Sequence, residues 1–126
     1  IIRKNPNFKT AHWKEVRKLL DLLMQRYEQF ETKKRTPGET IAFAAFFHNE
    51  FQRIHPFLDG NSRLARLLLL HILRMHNIPI LELPLGYFDQ YLDLTKRSLR
   101  RDDPAFVLLI EEIVLTNLKL LNNSLR

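Results

Sequence analysis

The chain has 126 residues, a formal net charge of +6, three glycines and no cysteine. The length suits a single domain that buries about two-thirds of its unfolded surface without a staple, and the missing cysteines exclude a disulfide framework, thiolate metal sites and a cysteine nucleophile. The positive charge fits nucleic acid, a phosphate-bearing small molecule or an acidic protein surface. The basic residues are scattered, however, and the densest run, Lys33-Lys34-Arg35, reads as a solvated loop, so no nucleic-acid partner is expected.

In chain order, residues 1–8 show no helical signal and read as a frayed end or a strand remnant. Trp13, Val16, Leu20, Leu23, Tyr27 and Phe30 follow in steps of three and four, one helical stripe from near Thr10 to Thr32. Thr36-Pro37-Gly38-Glu39 is the clearest start in the chain: an N-cap threonine, proline at the first helical position and a capping-box glutamate. The second helix carries Ile41, Ala44, Ala45, Phe47, Phe51 and Ile54 on one face and stops before Pro56. Ser62 to about His76 is apolar nearly all round, which predicts a central buried helix. A proline-punctuated connector over 78–85 follows. Tyr87 to about Arg101 predicts a fourth helix with Phe88, Tyr91, Leu92, Thr95 and Leu99 inward. Asp102-Asp103-Pro104 starts a last helix that buries Phe106, Leu109, Ile110, Ile113, Val114, Asn117, Leu120 and Leu121. The expectation is an all-α single domain over 1–126, with its helical core at 9–121.

No apolar run approaches the roughly 18 residues of a membrane span, and no signal peptide is visible. No membrane partner is expected, and the expected location is cytoplasmic, with secretion as an effector the alternative.

Chemistry concentrates between the second and third helices, in His55-Pro56-Phe57-Leu58-Asp59-Gly60-Asn61-Ser62-Arg63-Leu64-Ala65-Arg66. Gly60-Asn61-Ser62 precedes a helix whose first amides have no internal partner and whose dipole is positive, which makes an anion cradle. Arg63 and Arg66 lie on one face of that helix beside it. Two arginines there suggest a polyphosphate. Arg66 lies within the apolar run and needs an anion, either a ligand or a carboxylate such as Glu50. Asp59 would repel a phosphate unless a cation such as Mg²⁺ intervenes. His55 is the nearby group able to take a proton near neutral pH, and Phe57 is expected to pin the loop into the core. A metal hydrolase built on His48, His55 and Asp59 is disfavoured, because Pro56 keeps the two histidines from sharing a helical face.

This string resembles the signature of Fic-domain (Fic/Doc) proteins, H-x-F-x-[DE]-G-N-G-R-x-x-R, with Ser62 where glycine is usual. The resemblance implies an all-α Fic fold around a central apolar helix at about 62–76, with residues 1–8 a short remnant of a β-hairpin flap. It implies a protein adenylyltransferase moving AMP from Mg·ATP to a Ser, Thr or Tyr hydroxyl of a target protein. His55 would be the general base and Asp59 the Mg²⁺ ligand. Gly60, Asn61, Ser62 and Arg63 would hold the α- and β-phosphates, and Arg66 would reach the γ-phosphate. The same motif serves transfer of UMP, phosphocholine or phosphate, and a catalytically silent binding module is the alternative of another class. Many members of the family carry an inhibitory [ST]-x-x-x-E-[GN] helix, and none of this chain's glutamates fits that pattern. Restraint would then come from an inhibitory, antitoxin-like partner in trans or from flanking sequence.

Overall fold

The computed structural model describes residues 10–80, 87–96 and 104–124. Regular structure among them is helical throughout: α1 (Val16–Glu31), α2 (Pro37–Ile54), α3 (Asn61–Met75), α4 (Phe88–Lys96) and α5 (Pro104–Ser124), with a 3-10 turn over Trp13–Glu15 ahead of α1. The expected all-α class is what forms.

The first helix starts later than its stripe implies. The Ala11 amide donates to the Arg53 carbonyl (2.8 Å), which ties the chain entering α1 to the end of α2. Trp13 belongs to the 3-10 turn, whose tighter period takes it off the face that Leu23 and Phe30 bury, and it lies 74% exposed.

α2 begins as its sequence demands. The Thr36 hydroxyl accepts from the Glu39 amide (3.1 Å) and the Glu39 carboxylate accepts from the Thr36 amide (3.0 Å), with Pro37 opening the helix. Those bonds hold the Glu39 carboxyl below its ordinary pKa. α2 is also the more enclosed of the two helices that flank the site, with ten buried residues against five in α3. α3 packs mainly on α2, through Ala65, Leu69, Ile72 and Leu73, while Leu67 stays 60% exposed. Its leucine run is therefore divided between a core face and an open one.

α5 packs on α2 and α4, burying Phe106, Leu109, Ile110, Ile113, Val114 and Asn117. Leu120 and Leu121, expected inward, are exposed because α5 continues past the last residue it packs with. In α4, Tyr91 is buried as expected. The side chains of Phe88, Leu92 and Thr95, the residue Leu99, the connector beyond Ile80 and the flap remnant expected over 1–8 lie outside the described residues.

Candidate active site

Residues 55–60 turn the chain from α2 into α3. Two of them have left-handed backbone: His55 (φ 53°, ψ 59°) and Gly60 (φ 81°, ψ 6°). Glycine reaches that region freely. A histidine held there stores about 1–2 kcal/mol. His55 is kept in place because its amide still donates to the Phe51 carbonyl (3.0 Å), closing the last turn of α2 before Pro56 breaks the helix.

Asn61, not Phe57, pins the loop. Its Oδ1 accepts from the Phe57 amide (3.0 Å) and its Nδ2 donates to the Phe57 carbonyl (2.7 Å). With the backbone clamped this way by a buried side chain, the Phe57 ring is left 54% exposed instead of plugging the core. The Asn61 side chain is thus anchored to the loop through both its oxygen and its nitrogen, and its backbone amide stays free.

The clamp and the two left-handed residues set the polar groups. The Nε2 atom of His55 is buried and has no hydrogen-bond partner among the described residues. Leaving such an atom unpaired costs about 1–3 kcal/mol. Asp59 is exposed, and its Oδ1 accepts from the Gly60 amide (2.8 Å). The Leu64 amide donates to the Gly60 carbonyl (2.9 Å), the first bond of α3. The amides of Asn61, Ser62 and Arg63 therefore lie ahead of the helical ladder, at the positive end of the dipole. Free amides at a helix N-terminus are a geometry able to take an anion.

Arg63 is exposed and Arg66 half-buried. The Arg66 guanidinium lies over the Tyr91 ring, 5.8 Å from its centroid. The ring face offers a partner to a cation that keeps part of its hydration, so Arg66 is not the buried, stranded charge its place in the leucine run implies. Glu50, considered as its partner, holds Arg53 at 2.7 Å. A cavity of about 340 Å³ opens beside the two arginines, lined also by His48, Leu67, Leu70 and Tyr91.

Beneath lies a polar network that sequence reasoning missed. His48 is fully buried. Its Nδ1 meets Asn49 Oδ1 (2.8 Å) and its Nε2 meets the Tyr91 hydroxyl (2.7 Å). Gln52 Nε2 donates to the Tyr91 hydroxyl (3.3 Å) and to Ser62 Oγ (3.5 Å). Burial pushes the His48 pKa down to about 4, the Asn49 bond opposes this and the Arg66 charge adds to it, so the ring is neutral at pH 7. From sequence, His48 was weighed only as a metal ligand. The available signal was that His48 and Gln52 stand one turn apart, on the side of α2 that also carries Ala44, Ala45 and Phe51. Among the described residues no three metal-ligating side chains converge.

The sequence model of the Fic/DOC family matches residues 2–73. Among curated proteins the chain is similar to those named protein adenylyltransferase Fic in Drosophila grimshawi (33% identical over 94 residues, 74% of this chain and 20% of that protein), in Drosophila persimilis (32% over 94 residues, 74% and 18%) and in Drosophila mojavensis (32% over 94 residues, 74% and 19%). The chain spans about a fifth of the length of these relatives. No solved structure matches it.

Proposed function

The chain belongs to the Fic/DOC family, and on that premise we propose that it is a protein adenylyltransferase, moving AMP from ATP to a hydroxyl side chain of a target protein. The observation that carries this reading is the buried His55 Nε2, without a partner among the described residues and held by left-handed backbone in the loop that leads into α3. A stable fold gains nothing from either feature, whereas a general base needs both a vacant nitrogen and a fixed position.

In this reading the free amides of Asn61, Ser62 and Arg63 hold the α- and β-phosphates, and Arg63 and Arg66 spread the remaining charge. The target hydroxyl approaches His55 Nε2, which takes its proton as the oxygen attacks the α-phosphorus. The bond to the β-phosphate oxygen breaks and pyrophosphate leaves. The product is an AMP ester of the target.

Asp59 is a single exposed carboxylate, too little for a resident metal. It fits Mg²⁺ that arrives with the phosphates, because that ion takes one or two carboxylates from protein and the rest from phosphate and water. Asp59 would hold it, and the ion would neutralise phosphate charge beside the carboxylate.

The test is incubation of the chain with Mg²⁺, cell lysate and ATP labelled at either the α- or the γ-phosphate. Protein-bound α-label is expected. Label retained only from the γ position means phosphoryl transfer and overturns the reading.

A further inference from the structure

Ser62 is anchored at one atom and unsatisfied at another. Its Oγ accepts from Gln52 Nε2 (3.5 Å), and nothing among the described residues accepts its own proton. The proton count of the network fixes that direction. Neutral His48 has one N–H, which goes to Asn49 Oδ1, so its Nε2 is an acceptor. Tyr91 has one proton, given to that Nε2 over 2.7 Å. The Tyr91 oxygen must therefore accept from Gln52, which turns the amide nitrogen of Gln52, not its oxygen, toward both Tyr91 and Ser62. The bonds run outward from Gln52 in two directions, through Tyr91 and His48 to Asn49 and directly to Ser62, and the hydroxyl proton left over is on the first turn of α3.

From this we infer that Gln52 is a positioning residue for the phosphate seat: by occupying the Ser62 oxygen as an acceptor, it leaves the Ser62 hydroxyl proton as a further donor to a bound phosphate. The inference rests on the phosphate reading of the site proposed above. A glycine at position 62 would offer an amide alone, whereas Ser62 offers an amide and an oriented hydroxyl. Arg66, over the Tyr91 ring at 5.8 Å from its centroid, links the second arginine to the same network. The network thereby joins α2, α3 and α4 beneath a single ligand.

The experiment is calorimetric titration of the chain with inorganic pyrophosphate, with Mg·ATP and with adenosine. A hydrogen bond to a charged group carries enough energy that Ser62→Ala should weaken pyrophosphate and ATP about tenfold and leave adenosine unchanged. Gln52→Met, which keeps the volume and loses both donors, should weaken the two anions severalfold in the wild-type background and not at all in Ser62→Ala, because Gln52 acts through that hydroxyl. Tyr91→Phe removes the second anchor of Gln52 and should show the same dependence on Ser62, which keeps the test usable if Gln52→Met does not fold. Unchanged pyrophosphate affinity in Ser62→Ala overturns the inference. So does a Gln52 or Tyr91 effect of equal size with and without Ser62, which marks plain packing. Pyrophosphate binding without ATP binding sinks the adenylyl reading and leaves this inference standing; binding of neither sinks both.

Discussion

Replacing His55 by glycine should separate chemistry from folding in opposite directions. The wild-type residue holds left-handed backbone at φ 53°, a cost of about 1–2 kcal/mol that glycine does not bear. Its buried Nε2 lacks a partner, a further cost of about 1–3 kcal/mol that the substitution also removes. Against these stand the lost packing of a half-buried ring and the greater freedom of glycine in the unfolded chain, together of similar size to the smaller of the gains. The net expectation for His55→Gly is a stabilisation of about 1 kcal/mol, or roughly 3–5 °C in a domain of this length. Transfer should fall about 10²–10⁴-fold, the usual loss when a positioned base is removed, while ATP affinity stays within a few-fold, because the phosphate contacts come from α3. Thermal melting, α-label transfer and ATP titration on the same preparation decide it. A melting temperature several degrees lower with label transfer intact would show that the imidazole is a structural plug and that its unpaired nitrogen means nothing for catalysis.

Three further outcomes follow from other parts of the fold. Asp59→Asn should abolish transfer at ordinary Mg²⁺, as EDTA should in the wild type, with melting temperature unchanged because Asp59 is exposed; transfer that persists in EDTA reduces Asp59 to the acceptor of the Gly60 amide. His48 should make the domain acid-sensitive. Its unfolded form protonates near pH 6.5 and its folded form near 4, so the unfolded state binds more protons in between, stability is full above about 6.5, and it falls by about 3 kcal/mol as pH drops through 4. Urea melts of the wild type and His48→Gln across that range should diverge toward acid, and parallel curves refute the buried neutral ring. Thr36→Ala should cost about 1 kcal/mol by removing the capping box, with α-label transfer unaltered at temperatures where the variant is folded; a matching loss of transfer would tie the start of α2 to the site at its other end.

What the sequence could reveal depended on whether the governing interaction is local. The start of α2 was legible because the Thr36, Pro37 and Glu39 contacts all lie within one turn. The stop at Pro56 and the start of α3 were legible for the same reason. The apolar inward faces of α2 and α5 came through because six of the ten buried positions of α2, and the six of α5, are apolar or amide side chains at helical period, whereas the buried Thr40, His48, Asn49 and Gln52 of α2 did not. Periodicity failed where length or helix type intervened: at Trp13, in a 3-10 turn, and at Leu120 and Leu121, on a helix that outlasts its packing. The fate of Phe57 was illegible because apolar character alone predicts burial, while the outcome turned on Asn61 binding the Phe57 backbone twice.

The site divides along the same line. Its members on 55–66 are close in sequence, and their types suggest the anion seat and base proposed for them. The layer beneath is not: Gln52 and Tyr91 are 39 residues apart, and Ser62 meets Gln52 only because α3 folds back on α2. A buried histidine with lowered pKa, a tyrosine and a glutamine look like a catalytic cluster when seen alone. Here both ring nitrogens of His48 have partners, Nδ1 in Asn49 and Nε2 in Tyr91, with Gln52 Nε2 also within 3.4 Å of Nε2, whereas His55 Nε2 has no partner among the described residues. The vacancy, and not the perturbed titration, is the ground on which His55 is proposed as the base and His48 is read as a group that holds its neighbours in place. By that criterion the proposed base is His55, whose Nε2 is buried without a partner among the described residues, and not His48.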